Sequence, residues 1–237
     1  MSVVRAALVA GGSSGIGLEI ARVLASEGHS VTIVGRRPDK LASAAEVLGG
    51  SAHVVAADLS EDGQIEAVVA SHRSRFGRLD TLVNSAGYGG PRGSIERIDV
   101  PKLDRILRVD LRAAMLLTRA CLPMLRDAGS EHGKALVVNV SSVAAVLGLD
   151  EIATYSAAKG GLLAFGRGVQ RELADAGVQV TTLLPAYVDT PMSDWVPVPR
   201  EEMLRPSDLA EAVRLLLRVS PACRIPELRF ERIAGPV

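Results

Sequence analysis

The chain alternates short, continuously apolar runs with longer stretches in which apolar residues recur every three or four positions. Six runs of the first kind, over residues 4–10, 30–34, 53–57, 81–84, 135–140 and 178–184, predict β-strands. They do not alternate polar with apolar, so they predict parallel strands buried on both faces. Ile16, Ile20, Val23 and Leu24 share one face of a predicted helix over 16–27. Leu103, Ile106, Leu107, Leu111, Ala114, Leu117, Cys121 and Leu125 predict a single helix over 103–125. Further helices are predicted over 152–176 and 207–218, and a last strand near 225–233. Strand and helix succeed one another as βαβαβ twice over, with helical stretches long enough for right-handed crossovers. That order predicts an α/β fold, a doubly wound parallel sheet of about seven strands with helices on both faces. No repeat or linker divides it, so one domain over 1–237 is expected. A Pro-rich loop over 191–200, holding the sole tryptophan, is expected on the carboxyl edge of the sheet.

Composition narrows the picture. Aromatic residues are 3% and hydrophobic residues 48%, so the core must be aliphatic. Lys plus Arg and Asp plus Glu are 27 each, which gives no electrostatic reason to expect nucleic acid as a partner. Cys121 and Cys223 form neither a disulfide framework nor a metal cluster, and both are expected to be buried thiols. The histidines His29, His53, His72 and His132 are scattered and are expected at surface or cap positions, with no metal. The opening ten residues lack the order of a signal peptide, and no apolar run approaches the ~20 residues that span a bilayer. A cytoplasmic protein without membrane attachment is expected.

The first strand ends in Ala10-Gly11-Gly12-Ser13-Ser14-Gly15-Ile16-Gly17. Glycines between a buried strand and a helix let the backbone turn tightly and approach a pyrophosphate. The helix start then offers unpaired N–H groups and a positive dipole end to the anion. The second strand ends Gly35-Arg36-Arg37. A free ribose 2′-OH is commonly met there by a carboxylate, a 2′-phosphate by positive charge. Two guanidinium groups suit the phosphate, Arg36 the better placed, and hence NADP(H). A solvated surface pair is the alternative.

Tyr155 and Lys159 stand four apart in a helical stretch, so both side chains share one face. Ser142 precedes Tyr155 by thirteen residues, at the end of the fifth strand run.

The Gly-x-x-x-Gly-x-Gly turn, the Tyr-x-x-x-Lys pair and the upstream serine together resemble the short-chain dehydrogenase/reductase family, from Val4 to about Arg218. The resemblance implies a Rossmann-type domain and a ketone, aldehyde or alcohol as substrate. It gives Ser13, Ser14, Gly15, Ile16 and Gly17 to the phosphates, with Gly11, and Asp58 and Leu59 to the adenine. Asn84, Ala86 and Gly87, in Asn-Ser-Ala-Gly, continue the cofactor site, with Asn84 also bracing the turn. Pro185, Val188 and Thr190 would hold the nicotinamide amide, and Tyr155 and Lys159 its ribose. Tyr155 would be the general acid in reduction, although a free phenol ionises only near pH ~10. Lys159 would lower that pKa, and Ser142 would hydrogen-bond the substrate oxygen.

The family's fourth catalytic residue is an Asn, commonly in Val-Asn-Leu; here the chain reads Val109-Asp110-Leu111. Asp110 accepts hydrogen bonds but cannot donate as an amide does, and it can pair with Lys159. A retuned proton relay is expected, a purely structural polar group being the alternative. Ala144, Leu149, Tyr187, Met192 and Trp195 would form a mostly apolar substrate pocket, although Trp195 can equally cap the core. Members of the family pair through helices corresponding to 103–125 and 152–176, which implies a homodimer or homotetramer. A NADP(H)-binding sensor that no longer turns over is the rival reading. Epimerisation or dehydration of a sugar nucleotide is disfavoured, because such relatives add a substantial substrate domain.

Overall fold

The computed structural model describes residues 4–235. Seven parallel strands form one sheet: β1 (Ala6–Ala10), β2 (Ser30–Gly35), β3 (His53–Ala56), β4 (Thr81–Asn84), β5 (Ala135–Val140), β6 (Val178–Pro185) and β7 (Glu227–Phe230), in the order β3-β2-β1-β4-β5-β6-β7. Helices α1 (Gly15–Ser26), α2 (Pro38–Val47), α3 (Asp62–Phe76), α4 (Val100–Leu107), α5 (Ala113–His132), α6 (Ala144–Leu147), α7 (Ala153–Glu172) and α8 (Pro206–Arg218) complete it. The doubly wound expectation is met.

Successive strand side chains point to opposite faces. Ala7 and Val9 of β1 join α1, α2 and α8 in one apolar layer. Leu8 and Ala10 join α3 and α5 in the other. The winding reverses between β1 and β4, and a crevice opens there at the carboxyl ends of the strands, the usual ligand position in such sheets.

Four expectations need correction. The helix over 103–125 is broken: α4 ends at Leu107, residues Arg108–Arg112 form a π-turn, and α5 runs on to His132. Ala113 N–H donates to the Arg108 carbonyl, a step of five residues rather than four. The strand β3 is not buried on both faces, because it is an edge strand with Val54 and Ala56 exposed. Cys121 is buried but Cys223 is exposed. His29 and His72 are buried, and His53 and His132 half-buried, so none of the four is simply a surface group. His72 lies wholly inside, its Nδ1 2.7 Å from Thr32 Oγ1 and its Nε2 2.9 Å from the Arg78 carbonyl.

Candidate active site

The crevice is a cleft of 460 Å³, within the range of small-molecule sites. One end is the turn after β1. Gly11 has φ +78°, and an added Cβ would stand 2.7 Å from the Ser85 and Ala86 backbone. At Gly17 the Cβ would collide with the Gly11 carbonyl. Only glycine lets the turn fold against β4 in this way. Ser14 precedes α1 in extended conformation and its hydroxyl does not cap the helix. The first N–H groups of α1 are thereby left for an anion. The residues 13–17 line this end with Gly11.

Arg36, at the end of β2, and Asp58, after β3, face the same end. Asp58 accepts from Ser60 N–H at 3.0 Å and Ser60 Oγ at 2.8 Å. Burial works against its charge, but these bonds and the nearby Arg36 and Arg105 hold its carboxyl below the usual range. Arg37, Leu59, Ala86 and Gly87 complete the lining. Asn84 does not reach the cleft. It is buried beneath it, its amide nitrogen 2.9 Å from Asn139 Oδ1 and 3.3 Å from Thr118 Oγ1, tying β4 to β5 and α5.

At the other end β5 delivers Ser142, and α7 delivers Tyr155 and Lys159. Ser141 Oγ donates to the Lys159 carbonyl at 2.8 Å, fastening α7 to the end of β5. The Ser142 hydroxyl donates to the Pro185 carbonyl at 3.4 Å and accepts from Ala144 N–H at 3.2 Å, and it lines the cleft together with Tyr155. Lys159 Nζ stands 5.6 Å from the Tyr155 ring centroid, donates to the Val140 carbonyl at 3.1 Å and lies 3.2 Å from Asp110 Oδ2.

Asp110 sits in the π-turn, behind the cleft wall rather than on it. Its Oδ1 accepts from Tyr88 N–H at 2.6 Å. Burial pushes its carboxyl up and the Lys159 charge pulls it back only in part. Burial disfavours the Lys159 ammonium, yet Asp110 and Tyr155 outweigh it and raise its pKa. The Tyr155 phenol is also raised: burial dominates, Lys159 lowers it, Asp110 raises it again and Ser142 lowers it. The expected depression of that pKa is therefore absent in this arrangement, because burial outweighs the lysine and Asp110 adds to the rise.

Pro185 ends β6, and Tyr187, Val188, Thr190 and Met192 follow it; all line the cleft, as do Ala144 and Leu149. Trp195 lines the cleft and is 44% exposed, so it does not cap the core. Its neighbour Val196 is buried.

A sequence profile for the short chain dehydrogenase family matches residues 5–198. The chain belongs to the short-chain dehydrogenase family. It is thus an oxidoreductase by family. It is 32% identical to the cis-4-hydroxycyclohexanecarboxylate dehydrogenase of Sinomonas cyclohexanicum over 224 residues, 90% of this chain and 88% of that one. It is 32% identical over 209 residues to an uncharacterised oxidoreductase of Staphylococcus epidermidis, covering 88% and 89%. An alcohol dehydrogenase of the archaeon Thermococcus sibiricus, complexed with 5-hydroxy-NADP, superposes with TM-score 0.87 at 27% identity over 97% of both chains. The 3-ketoacyl-(acyl-carrier-protein) reductase of Brucella melitensis, complexed with NADH, gives TM-score 0.86 at 31% identity over 95% and 96%.

Within this short-chain dehydrogenase, sequence reasoning missed Tyr88 and Arg105. Tyr88 lines the cleft and its N–H anchors Asp110; its place directly after Gly87 was the available signal. Arg105 approaches Asp58 at 3.6 Å and the Tyr88 ring at 5.5 Å. Nothing in its surrounding sequence marks it. Among the described residues no helix is long and apolar enough to cross a membrane.

Proposed function

We propose that the protein is an NADP(H)-dependent oxidoreductase that interconverts a ketone or aldehyde and the corresponding alcohol. The observation that carries this is the meeting, in one cleft, of a glycine-lined anion cradle and the Ser142, Tyr155 and Lys159 side chains. The bound nicotinamide supplies or receives the hydride. The cradle and the α1 start hold its pyrophosphate, Arg36 with Arg37 a 2′-phosphate, and Asp58 the adenosine side. Solved relatives carry both phosphorylated and unphosphorylated cofactors, so the choice of NADP(H) rests on Gly35-Arg36-Arg37 alone.

Tyr155 holds the proton that a nascent alkoxide takes up, and receives it back in oxidation. Burial raises its pKa, and the Lys159 charge works against that rise. Ser142 donates to the same oxygen, stabilising charge as it develops. Lys159 keeps a positive charge under the phenol, and Asp110 sets how strongly that charge acts. The apolar lining suits a substrate with a hydrophobic body. Assembly as a homodimer or homotetramer through α5 and α7 belongs to the same reading.

The test follows nicotinamide absorbance with NADPH, and separately NADH, across ketones, aldehydes, quinones and 4-oxocyclohexanecarboxylate. Turnover that disappears in Tyr155→Phe supports the proposal. Tight NADPH binding with no turnover on any compound favours a sensor instead, a reading that the Asp110–Lys159 pairing keeps in play.

A further inference from the structure

A bridge stands beside the Trp195 end of the cleft, Arg92 and Glu151 lining a small hollow of their own rather than the cleft, and the hydride chemistry makes no use of it. Arg92 lies in the segment after β4 and Trp195 in the segment after β6. The Arg92 guanidinium carbon sits 3.6 Å from the centroid of the indole ring. Trp195 in turn meets Tyr187 edge-on, at 6.2 Å between centroids, and both line the cleft. Glu151 is the third member. Its Oε2 is 3.4 Å from Arg92 Nη2, and its carbonyl accepts from Gly93 N–H at 2.8 Å. Among the described residues Glu151 is the only non-glycine with positive φ, at 55°. Such backbone costs energy and gathers where ligands are held.

Three loops thus converge on one guanidinium. Indole takes its flat face, which fixes the group in advance of binding. Its donor edge meets only one long contact to a carboxylate that is well exposed, a pairing of little strength. Of two further arginines near these loops, Arg200 is committed to Asp189 and Asp194, and Arg232, 5.9 Å from the Tyr187 ring centroid, lies 3.9 Å from Glu202. Between Tyr155 and Trp195 the lining is Leu149, Ile152, Tyr187 and Met192, with no charged side chain among them.

We propose that Arg92 is a specificity-determining residue for an anionic substrate. The cleft takes a carbonyl compound or alcohol with an apolar body and a carboxylate at its far end. That carboxylate replaces Glu151 on the fork of Arg92, a geometry suited to two parallel N–H···O bonds. The reacting end rests on the reductase reading; the carboxylate end does not.

Trp195 is the sole tryptophan, so its emission reports on the ring that carries Arg92. The protein is titrated with 3-oxocyclohexanecarboxylate and with 4-oxopentanoate, each against its methyl ester, and KM is measured in parallel with NADPH. The acids are expected to bind at least about tenfold more tightly than the esters, or ~1.4 kcal/mol. Arg92→Ala is expected to erase that difference and leave the ester values in place. Glu151→Gln is expected to tighten the acids further, since their competitor is gone. Equal binding of acid and ester in the native protein overturns the proposal. So does an Arg92→Ala variant that weakens both alike, the mark of a merely structural latch. An acid-selective Trp195 response without turnover of any compound sinks the reductase reading and leaves this one standing. Turnover of esters and acids alike, without selectivity, does the reverse.

Discussion

Asp110 and Lys159 form an ion pair sealed from solvent, Oδ2 to Nζ 3.2 Å, with the two residues only 1% and 4% exposed. The aspartate's other oxygen is held by the Tyr88 amide. A charge this close to the lysine necessarily reaches the phenol as well. Removing it eases the loss of the Tyr155 proton. Alcohol oxidation requires the phenolate, so Asp110→Asn should move the acidic limb of its kcat/KM profile to lower pH. An unmoved profile would show that Asp110 is electrically silent. Asp110→Ala should also cost about 3–5 kcal/mol of stability by stranding a buried ammonium. Asp110→Asn should cost less in urea melts, because its amide oxygen still accepts from Tyr88.

Arg36 should decide between cofactors. A charged hydrogen bond to phosphate contributes about 1.5–3 kcal/mol, or roughly tenfold to over a hundredfold in Kd. Arg36→Ser should weaken NADPH by that factor in calorimetry and leave NADH nearly unchanged. Parallel losses for both cofactors would assign Arg36 to the surface.

Gly11→Ala combines a positive φ with a backbone collision at 2.7 Å. Neither can be relieved by rotating a side chain. Overpacking of this kind costs about 1–3 kcal/mol, and the turn should open away from β4. The variant should lose dinucleotide binding before it loses its circular dichroism spectrum. Retained binding would show that the turn tolerates displacement.

His72 should make the protein acid-sensitive. Burial lowers its pKa to about 4, the Arg78 carbonyl opposing. The neutral ring donates from Nε2 to that carbonyl and accepts at Nδ1 from Thr32. The unfolded histidine titrates near ~6.5, so between these values the unfolded chain binds the extra proton. Stability is therefore complete above about pH 6.5 and falls as the pH drops towards 4, by about 3 kcal/mol in all. Urea midpoints of the native protein and of His72→Gln, followed from pH 7 to 4, should diverge in slope. Parallel curves would remove the histidine from the account.

The strands and the glycine turn were legible because their causes are local. Aliphatic runs mark buried strands, and glycine marks a turn that no Cβ can enter. Ser142, Tyr155 and Lys159 were legible for a different reason, the spacing that sets them on one helix and one strand end. The π-turn was not, since one residue added between Arg108 and Ala113 leaves an apolar pattern that still reads as continuous helix. Nor was the fate of β3, because an edge position depends on which strands lie beyond it. His72 looks like any isolated histidine until Thr32 and the Arg78 carbonyl are brought to it. Arg92 and Trp195 are far apart in the chain, and no local pattern joins them.

The π-turn also sets the phase of the whole long helix. One extra residue rotates everything beyond it by roughly 100° about the axis. The front half can then be timed to the cleft, where Asp110 must face Lys159, while the rear half keeps Leu117, Cys121 and Leu125 timed to the sheet. A perfectly regular helix would have to be out of step with one or the other. Excising Val109 should therefore straighten the rod and desynchronise its two ends, so that a single deletion disturbs the lysine's counter-ion and the core together.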